Sequence, residues 1–170
     1  MACSREGVHA NGLCHTVAMS DSCLVCGEVD GEVPVPGGHL HRGDVVTVFH
    51  CPIVAPARDV FAGYLFVVPS RHVAGFGDLT DAEAASVGIE IARWTRVLEA
   101  AGAEHVYVVR IGHRVPHLHI HLIPRWPETP DDIAWMHVDD WDGARRVDEA
   151  SAIDFANGLR AIMTGMTVTQ

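Results

Sequence analysis

His117-Leu118-His119-Ile120-His121-Leu122-Ile123-Pro124-Arg125 is the stretch that decides how this chain is read. Imidazoles alternate with aliphatic side chains in a segment otherwise suited to a β-strand. Successive side chains of a strand point to opposite faces, so the three imidazoles share one face while Leu118, Ile120 and Leu122 share the other. At a rise of about 3.3 Å per residue, neighbouring imidazoles are rooted roughly 6–7 Å apart. Such clustering costs charge repulsion if the rings protonate and leaves ring nitrogens to satisfy if they are buried. A three-histidine face is therefore a place to bind a metal or an anion.

Upstream, His105 to Ile111 has a strand pattern, joined to the triplet by Gly112-His113-Arg114-Val115-Pro116, which fits a short turn or hairpin link. Ala62 to Val68 is almost continuously apolar and reads as a strand buried on both faces, closed by Pro69 and opening onto Ser70-Arg71-His72. Asp44 to His50 is a further β-rich run, and Gly31 to Gly43, rich in Gly and Pro, reads as loop. Between these strands Thr80-Asp81-Ala82-Glu83 fits a capping box and starts a helix that ends near Gly102. After Pro124 the chain is rich in Pro, Asp and Trp, then forms an amphipathic helix from about Asp148 to Met163. The order strand, strand, helix, strand, strand, tail helix predicts an α+β fold with a largely antiparallel sheet.

With 170 residues, 48% of them hydrophobic, the chain can bury one core and is too short to need two. Residues 1–22 have no period and read as a flexible arm, 23–126 as the domain, and 127–170 as a tail packed on the domain or on a partner. A net charge of −10 argues against affinity gained from a phosphate polymer, so no nucleic-acid polymer is expected as partner. Twelve histidines equal the 12 Lys plus Arg, an unusual balance for a residue that supplies ligands, acids and nucleophiles near neutral pH. There is no long apolar run and no basic start before an apolar stretch, so neither a membrane span nor a secretion signal is expected. Five cysteines, an odd number, make a reducing cytoplasm the simplest compartment. Cys23-Leu-Val-Cys26 suits a metal or a redox pair, with two unrelated buried thiols as the alternative. Tetrahedral zinc needs two more ligands from distant parts of the chain, for which His72 and a member of the triplet are candidates.

Preceded by Val115-Pro116, the segment His117 to Arg125 resembles the signature of the histidine triad (HIT) superfamily, in which three alternating histidines are followed by apolar residues. Tyr64-Leu-Phe-Val-Val-Pro-Ser-Arg-His72 is similar to that family's strand ending in a Pro-x-x-His turn. Cys23-x-x-Cys26 is similar to the amino-terminal half of the zinc site in its zinc-bearing members. The resemblance implies a five-stranded antiparallel sheet with helices, usually paired into a homodimer, and a nucleotide in a cleft over the histidine face. It implies zinc on Cys23, Cys26, His72 and His117, His119 as a nucleophile that attacks the α-phosphorus to form a nucleotidyl-histidine, and His121 on a phosphate oxygen. Neutral imidazole is a competent nucleophile at pH 7, and covalent catalysis divides one difficult displacement into two easier ones.

Two positions depart from the family pattern. His113 stands where many members carry Asn or Gln; imidazole also donates a hydrogen bond, so His113 is expected on the phosphate side or as an acid, with a solvent-facing turn residue as the alternative. Members commonly carry an acid for the ribose hydroxyls after the first strand, whereas Val48-Phe49-His50-Cys51-Pro52 has none. Phe49 either packs against a base or belongs to the core, and Arg125 either approaches phosphate or pairs with an acidic neighbour. Trp126, Trp135 and Trp141 either cover the pocket or a partner subunit, or pack the tail on its own domain. The activity expected is hydrolysis of a nucleoside 5′-phosphate derivative, such as a dinucleoside polyphosphate or a nucleoside phosphoramidate. Transfer of the nucleotidyl group to another acceptor, or a zinc-stabilised nucleotide-binding module without turnover, are the competing readings.

Overall fold

In chain order the elements are α1 (Leu24–Asp30), β1 (His39–Arg42), β2 (Val46–His50), β3 (Val60–Phe61), β4 (Leu65–Pro69), α2 (Asp81–Ala100), β5 (His105–Val109), β6 (Ile120–Arg125), β7 (Arg146–Val147) and α3 (Glu149–Thr167). The computed structural model describes residues 23–112 and 115–167; the arm expected over residues 1–22 and the candidate His113 lie outside them. β1, β2, β4, β6 and β5 form one sheet in that order, every pairing antiparallel, as the α+β reading requires. β3 and β7 make a separate two-stranded ribbon.

One face of the sheet carries the main core. Val46 and Val48 of β2, Leu65 and Val67 of β4, and Ile120 and Leu122 of β6 alternate towards α2, where Val87, Trp94, Val97 and Leu98 meet them, and towards Leu159 of α3. Each fully buried aliphatic side chain contributes about 1.5–3 kcal/mol through the water it sheds. α2 begins as its sequence predicts: the Thr80 side chain accepts from the Glu83 backbone N–H, and the Glu83 carboxylate accepts from the Thr80 N–H.

The other face carries the histidines. Phe49 pairs with Phe66, Phe66 with His121 and His121 with Val109, a row across four strands. Here the structure corrects one loop reading and adds a helix where no element was expected. The Gly- and Pro-rich stretch before Gly43 contains edge strand β1, held by β2. The Cys23-x-x-Cys26 stretch opens a short helix, α1, ended by Gly31 in the left-handed region, φ 83°. Val25 and Val29, four residues apart on α1, close over Phe49 and Val68. No helix among the described residues is long and apolar enough to cross a membrane.

Candidate active site and metal centre

The histidine triplet does not lie in one strand. The β4–β6 ladder runs Leu65 to Leu122, Phe66 to His121 and Val67 to Ile120, and stops there. Beyond it β4 ends at Pro69, which has no N–H to donate, and the Leu118 N–H reaches the Val73 carbonyl at 2.6 Å instead. His117 and His119 therefore precede β6, where a strand from His117 onward was expected, and the three rings part company.

His117 turns away to join Cys23, Cys26 and His72, whose four donor atoms lie within 4.8 Å of one another. Cys23 caps α1 and Cys26 sits in its first turn, a spacing that turns both thiols to one side. Cys26 Sγ is 3.1 Å from His72 Nδ1 and 3.4 Å from His117 Nδ1, and Cys23 Sγ is 3.7 Å from His117 Nδ1. A tetrahedral ion about 2.3 Å from sulfur and about 2.0–2.1 Å from nitrogen sets S···N edges near ~3.6 Å, so two thiols and two imidazoles fit it. His117 Nε2–H donates to the Pro69 carbonyl at 3.1 Å, which leaves Nδ1 free to coordinate and fixes the ring. Burial, above all, pulls His117 below the ordinary histidine range, so the ring is neutral. Burial and the neighbouring Cys23 thiol push Cys26 up to about 12, so its thiolate calls for a cation beside it.

His119 and His121 remain on the sheet face, ring centroids 5.0 Å apart, with the Phe66 ring edge-on to both. His119 Nδ1 lies 2.7 Å from the His117 carbonyl, an acceptor only, so Nδ1 carries the proton and Nε2 a lone pair. That is the tautomer of a nitrogen nucleophile. His121 Nδ1 is 2.7 Å from the Tyr64 hydroxyl, and His121 Nε2 is buried without a partner among the described residues. Burial first, and the His119 charge second, hold His121 down to about 4.

Three further residues meet different fates. Phe49 is 0% exposed beneath α1, so it is core on the histidine face and offers no ring surface to a base. Arg125 gives its donors to the carbonyls of Thr129, Pro130 and Ile133, holding the start of the tail rather than a phosphate. Trp126 is buried and donates to the Ala62 carbonyl at 3.0 Å, packing the tail on its own domain.

His50 is structural. Its Nδ1–H donates to the Cys51 carbonyl, its Nε2 accepts the Gly63 N–H at 3.0 Å, and burial keeps it neutral. Gly63, at φ 79°, packs so tightly that a Cβ would lie 2.9 Å from Trp126 Cζ2. An acid does reach the end of β2, from another element: Glu28 of α1 is 2% exposed, burial pushes its carboxyl up to about 7, and its charge helps burial raise the Cys51 thiol. No local pattern in the sequence singles Glu28 out, because its partner lies across the fold.

Arg110 is a second residue that sequence reading missed. A Cβ placed on Gly112 would lie 3.5 Å from Arg110 Nε and 3.7 Å from His119 Cε1, so guanidinium and imidazole flank the same spot. One Arg110 nitrogen donates to the Ala74 carbonyl at 2.8 Å. Among the described residues no carboxylate forms an ion pair with it, whereas Arg71, Arg93, Arg145 and Arg146 are each paired. Its position one residue past a strand, in a Gly-containing link before the triplet, was the available signal.

Comparison with known proteins matches residues 47–128 to the HIT domain. An AP-4-A phosphorylase of Mycobacterium tuberculosis is 35% identical over 71 residues, 38% of this chain and 36% of that protein, so the match spans little more than a third of the relative's length. An adenosine 5′-monophosphoramidase of Schizosaccharomyces pombe is 27% identical over 124 residues, 64% of this chain and 86% of that one. A zinc-bound histidine triad family protein from Mycobacterium smegmatis shares the fold with a TM-score of 0.67 at 18% identity, over 88% of this chain and 98% of that chain. Residues 47–128 of this chain are thus a histidine triad (HIT) domain, in a chain whose architecture follows the same fold.

Proposed function

We propose that this chain cleaves a nucleoside 5′-phosphate derivative through a covalent intermediate on His119. The observation that carries the reading is the hydrogen bond from His119 Nδ1–H to the His117 carbonyl, which leaves the Nε2 lone pair available for attack. In the first step that lone pair forms a bond to the α-phosphorus, and the bond from phosphorus to the leaving oxygen or nitrogen breaks, its electron pair leaving with that group. In the second step water attacks phosphorus, the P–N bond breaks, the pair returns to Nε2, and the water proton is released. His121 and Arg110 are placed in this reading as the groups that meet phosphoryl oxygens, Arg110 because it lies beside the nucleophile and pairs with no carboxylate among the described residues. His113, outside the described residues, keeps its expected phosphate-side role here.

The metal in this reading is zinc, held by Cys23, Cys26, His72 and His117. It would supply rigidity by tying α1 to the end of β4 and to the residue two before the nucleophile. A phosphate acceptor in place of water is the second reading, favoured by the name of the M. tuberculosis relative. The homodimer implied by the resemblance and the cytoplasmic setting expected from the cysteines belong to the same proposal, and sedimentation tests the first of them.

Intact-mass analysis of wild type and His119→Ala during incubation with dinucleoside polyphosphates and nucleoside phosphoramidates tests the mechanism. A nucleotidyl adduct and turnover in wild type alone support it; binding without adduct or turnover across the panel overturns it in favour of a binding module. Metal analysis of protein purified without chelators tests zinc.

A further inference from the structure

We infer that Tyr64 is a positioning residue that sets the tautomer of His121, so that the buried Nε2–H of His121 is a fixed hydrogen-bond donor aimed at the phosphoryl group. This inference rests on the reading of the site given above, and it adds a residue that the histidine motif does not contain.

The Tyr64 hydroxyl lies 2.7 Å from His121 Nδ1. Either atom can carry the shared proton, but the two arrangements differ in chemistry. Imidazole nitrogen is a far better acceptor than a phenol oxygen, whose lone pairs are drawn into the ring, and a phenol is the better donor. The favoured bond is O–H···N, and among the described residues the phenol makes no second hydrogen bond. With Nδ1 accepting, the neutral ring must hold its one proton on Nε2. That nitrogen is the buried atom that finds no partner among the described residues, in a side chain 8% exposed. A buried donor without an acceptor destabilises the fold, a defect that folds retain where a ligand supplies the missing partner. Phosphoryl oxygens are acceptors only, so a donor is what they need; the opposite tautomer would face them with a lone pair.

The surroundings hold Tyr64 in place to do this. Its backbone carbonyl accepts from Cys51 N–H at 2.7 Å, and the preceding Gly63 N–H donates to His50 Nε2 at 3.0 Å. The phenol ring packs edge-on against Phe66 at 5.7 Å, and Phe66 packs on His121 at 4.9 Å, so neither ring is free to turn away. The structural histidine of β2 thus frames the tyrosine that orients the functional histidine of β6.

The test is 15N NMR of imidazole nitrogens in the full chain, wild type and Tyr64→Phe, assigned with His121→Asn, alongside kcat and KM on the best substrate of the panel. In wild type His121 is expected as the pure Nε2–H tautomer. Tyr64→Phe keeps the ring packing and is expected to show a mixture of tautomers, with kcat lowered about tenfold and KM changed less than about threefold, the loss of one oriented hydrogen bond. A wild-type His121 protonated on Nδ1, or a Tyr64→Phe protein with an unchanged tautomer, overturns the inference. The tautomer is read without substrate, so failure of the nucleotidyl-histidine mechanism shows in the mass experiment alone, while failure of the tyrosine shows in the NMR.

Discussion

The two ends of the histidine segment are made of the same residue and do opposite things. At the His117 end four donor atoms converge within 4.8 Å, and the ring nitrogen pointing away from them donates to the Pro69 carbonyl, so the bonding capacity of the imidazole is used up. At the other end, among the described residues, His119 and His121 are each held by one nitrogen only, through the His117 carbonyl and the Tyr64 hydroxyl, and the second nitrogen of His121 is buried with no partner there. His50 is a third case, saturated by two backbone groups with no metal involved. In the function proposed here, saturation, rather than residue type or burial, separates a histidine that builds from one that reacts.

The largest test of that division is His119→Ala. Its kcat/KM is expected to fall on the order of 10⁴-fold or more, because both steps pass through the missing nitrogen, while circular dichroism shows the fold retained. Persistent turnover would place the chemistry elsewhere. Cys26→Ser probes the saturated end: Tm is expected to drop by roughly 10 °C, corresponding to about 3–5 kcal/mol, with zinc content lost and kcat per folded molecule little changed. If activity fell while Tm held, the two ends would have to exchange roles.

Arg110→Ala sharpens the unsaturated end. Loss of a charged hydrogen bond is expected to cost about 10–100-fold in kcat/KM on a dinucleoside polyphosphate, and less on a phosphoramidate with its uncharged leaving group. Equal losses on the two substrates would remove Arg110 from substrate choice. The smallest effect concerns acid. His121 is held down to about 4 in the folded chain, so below the ordinary histidine range protons bind the unfolded state more readily than the folded one. Its contribution is intact above about pH 6.5 and is lost as pH falls towards 4. Urea unfolding at pH 7, 6, 5 and 4 is expected to show a shallower decline for His121→Asn than for wild type; parallel curves would contradict the buried, neutral ring.

Much of the fold was legible because its signals are local. The Thr80 to Glu83 capping box and the apolar run closed by Pro69 each lie within a few residues, and α2 and β4 formed where they point, whereas β6 begins at Ile120, three residues after the start the alternation predicts. β1 was hidden because a four-residue edge strand paired on one side only needs little β-pattern, and α1 because a seven-residue helix is held by Val25 and Val29 meeting a distant Phe49. Arg125 looked like a phosphate ligand from its place in the motif. Its three carbonyl acceptors belong to a turn whose path no local pattern announces.

By itself the sequence determined the family motif and the order of β2, β4, α2, β5, β6 and α3, which rest on residue type and spacing, and the resemblance carried by that motif implied the four residues that converge as candidate metal ligands. Only the tertiary structure decided which nitrogen of each histidine is occupied, that Phe49 is roofed, and that Tyr64 and Arg110 approach the site. The physical reason is that a hydrogen bond, an unpaired charge or a buried orphan is a property of two groups in space, and here the second group is usually tens of residues away.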